Sequence, residues 1–211
     1  MFVGNKISNG LILLILCLWG SSSYAVGLGM SAGYESEKWT GDYEHNGNRE
    51  ITNFGLVVDT KVARNRLFNY RFTISREQNK YDSNAVDRVN FEGIATTHDF
   101  GFGVLRTPNL RLWIGPQIRA VSYNTVTSAS GVEVDGTVTG FSIGPVIGLN
   151  IHLREVVTFT MTTGFHLIGF YSGDYSVYND NSFFTSYTDI DPDSTGAFFN
   201  LGIIFRIQDN Y

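Results

Sequence analysis

Apolar and polar residues alternate with a period of two along the end of the chain. From position 198 to 207 the apolar positions on one side are Phe199, Leu201, Ile203, Phe205 and Ile207. Small or polar residues occupy most of the positions between them. A period of two is typical of an extended strand that has one apolar face. We therefore predict that the chain ends in a β-strand.

Seven earlier segments repeat this alternation, and they are separated by turns and loops of very different length. The segments cover positions 26–39, 51–62, 67–77, 89–106, 110–123, 137–153 and 156–171. Short turns alternate strictly with long polar loops, of which the longest runs from about Ser172 to Ser194. Each segment is long enough to cross a bilayer as a tilted strand, and none shows helical periodicity.

These features predict an all-β chain that forms an eight-stranded antiparallel up-and-down transmembrane β-barrel. An even number of strands with alternating short and long connections is typical of such barrels. The face opposite the apolar one carries mainly small polar residues, which suits a narrow closed interior. Charged residues are only 17% of the chain and fall mostly in loops, whereas a soluble barrel or sandwich, the alternative, would carry more of them outside.

Aromatic residues near the ends of the strands fit the same interpretation. Membrane barrels carry girdles of aromatic side chains at both interfaces. We expect the girdles to include Tyr34, Tyr70, Tyr123 and Tyr171. Other aromatic residues fall in predicted loops, where they are either binding anchors or ordinary interface residues: Tyr43, Tyr81, Tyr175, Tyr178, Phe183, Phe184 and Tyr187.

The first 25 residues have the composition of a secretory signal peptide. Lys6 precedes a short apolar run at positions 10–20, and small residues stand at Ser23 and Ala25. That run is too short for a transmembrane helix, so a retained anchor is the weaker alternative. We predict a signal peptide over 1–25 and a barrel domain over 26–211. The only cysteine, Cys17, would then be lost, and the mature chain could form no disulfide.

The final strand resembles the C-terminal signal of bacterial outer-membrane β-barrel proteins. That signal has a polar residue, a glycine two positions later and two apolar or aromatic residues at alternate positions, which correspond here to Asn200, Gly202, Phe205 and Ile207. The whole mature chain resembles the small eight-stranded members of that family. The resemblance implies a location in the bacterial outer membrane and recognition by the outer-membrane assembly machinery. The tail 208–211 extends beyond the usual end of the signal.

Charged residues at interior-facing positions predict a network within the barrel. They are Glu35, Asp59, Arg71, Asp99, Arg119 and Arg206, with His152 and His166 in the same phase. Buried charges must be paired because an unpaired one is costly. We therefore predict a plug of salt bridges, with a path for protons or ions as the alternative. The net charge of −5 argues against a nucleic-acid partner.

Few residues of the sequence are candidates for catalysis or metal binding. His98 shares the phase of the lipid-facing positions, and its neighbour Asp99 points to the opposite face, so the two are poorly placed for catalysis. The acidic positions at Asp189, Asp191 and Asp193 lack the spacing of a calcium loop. We expect no catalytic residues, no metal and no cofactor. Two Gly-Pro pairs, at 115–116 and 144–145, predict bulges or bends in the wall.

The predicted function is structural and surface-interacting, in membrane integrity or adhesion, with long extracellular loops. The expected partners are outer-membrane lipid and lipopolysaccharide, the assembly machinery, and surface ligands that bind the loops. A narrow pore or carrier for small hydrophobic compounds is the alternative, and a lipid A-modifying enzyme is a third.

Overall fold

The computed structural model describes residues 26–40, 46–60, 67–83, 89–125, 128–129, 132–153, 156–179, 184–190 and 193–207. Ten strands lie in this part of the chain: β1 Gly27–Thr40, β2 Gly47–Asp59, β3 Phe68–Ser83, β4 Val89–Arg106, β5 Leu110–Thr125, β6 Ser128–Ala129, β7 Val132–His152, β8 Val157–Asn179, β9 Phe184–Ile190 and β10 Asp193–Arg206. None of the described residues forms a helix long and apolar enough to span a bilayer. The predicted signal peptide and the tail 208–211 lie outside the described residues.

Eight of the strands close into an antiparallel barrel, as the alternation predicts. Each strand pairs with its neighbour in the order β7, β5, β4, β3, β2, β1, β10, β8, and β8 pairs back onto β7. The first and last strands of the ring meet in register, with Gly27 opposite Arg206 and Thr40 opposite Asp193. The two remaining strands lie outside this ring, at the end of the barrel that carries the long loops. There β6 pairs with β7 and β9 pairs with β8.

An apolar belt surrounds the barrel, and the polar residues face inward. On β2, for example, Phe54 and Leu56 are each 59% exposed, whereas Asp59 is fully buried. The final strand shows the predicted alternation, because Phe199 and Phe205 point outward while Phe198 and Ile204 are buried. A soluble barrel would have the opposite arrangement. The apolar outer face is therefore the surface that contacts lipid.

The strands extend further at the long-loop end than the alternation predicts. Strand β3 continues to Ser83 and β8 to Asn179, and β7 already begins at Val132. The predicted loops 78–88, 124–136 and 172–194 are therefore partly strand. On β3 the outward residues above the apolar belt are Gln78, Lys80 and Asp82, so the outer face is polar there as well and the period of two disappears from the sequence.

The prediction of the aromatic girdles is wrong for two of the four tyrosines. Tyr34 and Tyr70 lie on the outer face, but Tyr123 and Tyr171 are buried inside the barrel, as is Tyr81, which was predicted to lie in a loop. Tyr123 lies four residues after Arg119 on β5, so the two side chains point inward on the same face of the strand. Tyr81 lies on the unpredicted extension of β3.

A bulge in β8 explains the position of Tyr171. The pairing of β8 shifts by one residue against both of its neighbours, between Ile143 and Val146 on β7 and between Ser194 and Gly196 on β10. At this point Leu167 and Ile168 both face outward. An extra residue reverses the phase of the strand beyond it. The inward residues are therefore even-numbered before the bulge and odd-numbered after it, which turns Tyr171 inward.

The two Gly-Pro pairs lie side by side in the wall, where Pro116 pairs with Pro145. The irregularity predicted at the second pair is confirmed, since the bulge in β8 lies beside it. The first pair keeps its register with β7. The register shift between β4 and β5 occurs instead between Gly103 and Leu105.

Candidate functional site: the barrel interior

The layer of the interior nearest the long loops is an aromatic cage around a guanidinium group. Arg49 is fully buried, and its Cζ lies 5.0, 4.7 and 4.8 Å from the ring centroids of Trp39, Tyr123 and Tyr171. The Nη1 atom of Arg49 also lies 3.0 Å from Oε2 of Glu37. Cation–π contacts and the ion pair together compensate the buried charge. The cage closes the lumen at this end.

The central layer is organised around Arg119, which contacts three carboxylates. Its Nη2 lies 2.5 Å from Oε2 of Glu77 and 3.5 Å from Oε2 of Glu35, and its Nη1 lies 4.0 Å from Oε1 of Glu37. The hydroxyl of Tyr171 donates to Glu37 at 3.0 Å, and the hydroxyl of Tyr123 donates to Glu77. Strands β1, β3, β5 and β8 are thus joined across the lumen.

His166 lies next to this layer and connects it to Asp99. Its Nδ1 atom lies 2.5 Å from Oε1 of Glu35 and 3.4 Å from Oε1 of Glu37. Its Nε2 atom lies 2.9 Å from Oε1 of Gln117, whose Nε2 donates to Oδ1 of Asp99 at 2.7 Å. The imidazole stacks on Phe198, with 5.0 Å between the ring centroids.

The layer nearest the short turns is organised around Arg71. Its Nη2 and Nε donate to Oδ2 of Asp59 at 2.8 and 3.1 Å, and its Nη1 donates to the hydroxyl of Thr160 at 2.8 Å. The guanidinium lies over the indole ring of Trp113, with Cζ 5.2 Å from the ring centroid. Trp113 is fully buried and fills the lumen at this level.

The remaining free space in the interior is small. A polar cavity of about 40 Å³ lies between the central and lower layers, and Glu35, Arg71, Asp99, Arg119 and His166 are among its lining residues. A cavity of this volume holds a few water molecules at most. Among the described residues, side chains of the three layers therefore extend across the lumen above and below this cavity.

All six predicted interior charges lie inside the barrel and are at most 5% exposed: Glu35, Asp59, Arg71, Asp99, Arg119 and Arg206. The structure pairs Asp59 with Arg71 and Glu35 with Arg119, whereas Asp99 bonds to Gln117. His152 is also buried, and its Nδ1 lies 2.9 Å from the hydroxyl of Thr158. The role of these charges as a functional plug stays a prediction.

Among the described residues, four further charged side chains lie in the interior without having been predicted there: Glu37, Arg49, Glu77 and Arg111. Glu37 and Glu77 follow interior positions at a spacing of two, so continuing the phase of each strand would have found them. Arg49 lies in a stretch that was predicted to be loop. A longer estimate of β2 was the missing signal for Arg49 alone, because the other three residues fall within predicted strands.

The residues of the predicted assembly signal divide between the two faces of β10. Asn200 and Gly202 face the lumen, and the amide oxygen of Asn200 accepts a hydrogen bond from Asn53 at 3.1 Å. Phe205 and Ile207 are 48% and 59% exposed on the lipid-facing side. Their recognition by the assembly machinery stays a prediction.

His98 points outward, as its phase predicts, and its partner is a phenol. Its Nδ1 lies 2.7 Å from the hydroxyl of Tyr70, and its ring packs 5.2 Å from that of Phe72. Asp99 lies inside the barrel and cannot orient this imidazole. Asp99 is therefore not the third group that would orient His98 for nucleophilic catalysis.

The outer face carries two grooves. A polar groove of about 360 Å³ lies just above the apolar belt and includes Glu50, Lys80 and Glu92 in its lining. An apolar groove of about 440 Å³ lies over the paired Gly-Pro sites and is bounded by Leu167 and Ile168 of the bulge.

Comparison with known proteins identifies the architecture. No family model and no curated protein sequence matches the chain. The outer membrane protein OprG of Pseudomonas aeruginosa matches with a TM-score of 0.56 at 11% identity, over 89% of this chain and 98% of that one. A major outer membrane protein of Thermus thermophilus matches with a TM-score of 0.46 at 11% identity, over 87% and 100% of the two chains. Neisserial surface protein A matches with a TM-score of 0.44 at 8% identity, over 85% and 97%.

The similarity to OprG shows that the chain has the fold of a small bacterial outer-membrane β-barrel. The apolar belt and polar interior described above are what that location requires. The chain therefore has the fold of an outer-membrane barrel, as the sequence predicts. At this level of identity the similarity shows the fold alone, so the expectation that the protein is not an enzyme stays a prediction.

Proposed function

We propose that this outer-membrane β-barrel is a non-conducting structural protein that presents its extended strands and loops at the cell surface. The observation that supports it best is the filling of the lumen. The caged Arg49, the ion cluster of Arg119 and the layer of Arg71 and Trp113 block it at three levels. An eight-stranded barrel has little room inside beyond its side chains.

Electrical recordings test the closed lumen directly. Purified protein in planar bilayers should show no steady conductance, because described side chains cross the lumen in three layers. A porin inserted in the same bilayer is the positive control, and a gel shift on heating confirms that the tested sample is folded. Steady single-channel steps from the folded wild-type protein would contradict the proposal.

The face that we assign to contact with lipopolysaccharide lies at the top of the apolar belt. The belt ends on β2 and β4 at Phe54 and Ile94, and polar side chains follow directly above them. There Arg76 donates to Glu92 at 2.6 Å, and Lys80 lines the polar groove. Basic groups at this level suit the phosphates of lipopolysaccharide. The long loops above this face are the part that we propose binds surface ligands.

The end of β10 is proposed to be the signal that the outer-membrane assembly machinery recognises. Replacing Phe205 with Ala should strongly reduce the amount of folded protein in the outer membrane of cells, but should change the stability of the refolded protein only slightly. The control is Ile203→Ala, since Ile203 is 47% exposed on the same face of the same strand, against 48% for Phe205. Equal losses for the two variants in cells would contradict a specific role of Phe205.

A carrier for small hydrophobic compounds is the second candidate, and the apolar groove beside the bulge of β8 is the observation that favours it. Sideways release into the membrane would need an opening at this groove. The interior behind it is filled by Phe198 stacked on His166, so the wall would have to rearrange. A hydrophobic ligand that copurifies in the lumen would favour this candidate. Altered lipid A on expression, abolished by His98→Ala, would instead favour an enzyme.

A further inference from the structure

We infer that Glu35, Glu37 and His166 form a binding site for one divalent transition-metal ion inside the barrel. Each of the three side chains offers one ligand atom, and these atoms lie within 4.8 Å of one another. Nδ1 of His166 faces Oε1 of Glu35 and Oε1 of Glu37. Imidazole nitrogen and carboxylate oxygen are both zinc ligands, and three protein ligands with a water molecule in the fourth position form an open zinc site. The site lies in the central layer, between β1 and β8.

The hydrogen bonds around His166 determine which of its nitrogens is available. Gln117 uses its amide nitrogen to donate to Asp99, so its amide oxygen must accept from Nε2 of His166. The other nitrogen, Nδ1, then faces two carboxylate oxygens. Metal-binding histidines usually donate their second nitrogen to a carbonyl or carboxylate in this way, which fixes the ring.

The two atoms that face each other have no other hydrogen-bond partner. Nδ1 of His166 and Oε1 of Glu35 are both buried and lie 2.5 Å apart, and neither forms a hydrogen bond to any further described residue. Two ligands of a tetrahedral zinc ion lie about 3.4 Å apart. The 3.4 Å between Nδ1 and Oε1 of Glu37 already fits this geometry, and Glu35 has to move back by less than about 1 Å.

The charges of the surrounding cluster favour a divalent cation. Glu35, Glu37, Glu77 and Asp99 are linked through Arg119, Arg49, His166 and Gln117 by the contacts described above. Within these contacts four carboxylates meet two guanidinium groups, so positive charge is locally scarce around the two glutamates, whereas Arg71, Arg111 and Arg206 balance the described interior as a whole. A buried excess of charge is costly unless it is balanced.

The second oxygens of the two glutamates are already oriented, and space for water lies beside the site. Oε2 of Glu37 contacts Arg49, and Oε2 of Glu35 contacts Arg119, which leaves Oε1 of Glu35 directed at His166. Oε1 of Glu37 faces His166 at 3.4 Å and also accepts from the hydroxyl of Tyr171 at 3.0 Å. Glu35 and His166 also line the polar cavity of about 40 Å³. That volume accommodates the water that would complete a four-coordinate ion.

Refolding with Co²⁺ tests the site, since Co²⁺ in a tetrahedral site has a strong visible absorption. The full mature chain should retain one Co²⁺ ion per molecule after removal of free metal and show this band. Zn²⁺ should displace the Co²⁺, whereas Mg²⁺ should not, because it prefers an octahedral set of oxygen ligands. Refolding is used because the closed interior would slow the entry of metal.

His166→Gln should lose the band and bind Co²⁺ at least about tenfold more weakly, because it removes a ligand. His152→Gln is the control, since His152 is the other buried interior histidine and bonds to Thr158 instead. Absence of retained Co²⁺ in the folded wild-type protein would overturn the site and show that a proton alone lies between these groups. Equal binding by wild type and His166→Gln would overturn it as well. Neither result depends on whether the lumen conducts.

Discussion

Replacing Arg119 with Ala is expected to reduce the free energy of unfolding by about 3–5 kcal/mol, because it leaves buried carboxylates without their partner. Arg119 is 3% exposed and lies within 4.0 Å of Glu35, Glu37 and Glu77. Equilibrium unfolding in urea, with the protein refolded into lipid vesicles, measures the loss. Arg119→Lys keeps the charge but not the branched guanidinium, so it should lie between the wild type and the alanine variant.

Arg76→Ala is the matched control for this experiment. Arg76 also pairs with a glutamate, at 2.6 Å from Glu92, but its side chain is 73% exposed on the outer face. An exposed pair contributes less than about 1 kcal/mol because water and salt screen it. If Arg119→Ala destabilises the barrel no more than Arg76→Ala does, Arg119 is not the centre of a buried ion cluster and the description of the middle layer is wrong.

The sequence predicted the membrane part of the barrel well because a single physical rule governs it. Within the apolar belt every second residue contacts lipid, so the period of two identifies both the strand and its inward face. This rule correctly placed Glu35, Asp59 and Arg71 inside. The rule does not apply above the belt. Arg49 lies there, on a part of β2 that is polar on both faces, so the sequence did not place it on a strand.

Two other features depend on information that the local pattern does not contain. The bulge at Leu167 and Ile168 reverses the phase of β8, and one extra residue in a long apolar strand leaves little trace in the alternation. The contacts across the lumen depend on the register and width of the closed barrel. Arg119 on β5 meets Glu35 on β1 because of how eight strands close, not because of spacing along the chain.

A methyl group added at Gly148 is expected to be severely destabilising. Gly148 faces the lumen from β7, and a Cβ atom there would lie 2.0 Å from Cε2 and 2.1 Å from Cζ2 of Trp113. The indole is fully buried beneath Arg71, so it cannot move aside easily. Gly148→Ala should therefore cost about 3 kcal/mol, the upper part of the range for overpacking. Gly103→Ala is the control, because its Cβ would meet the flexible side chain of Arg106 at 3.0 Å and Nε of Arg111 at 3.4 Å, an ordinary contact distance.

Removal of the Trp113 indole should abolish most of the destabilisation that Gly148→Ala causes. Trp113→Ala alone is expected to cost about 3–5 kcal/mol through the cavity it creates. Adding Gly148→Ala to that variant should then cost less than about 1 kcal/mol, which gives a coupling energy of about 2 kcal/mol in a double-mutant cycle. The same urea titrations in vesicles provide all four values. A coupling energy near zero would mean that the indole does not lie against Gly148, and the lower layer of the lumen would then be open where we describe it as closed.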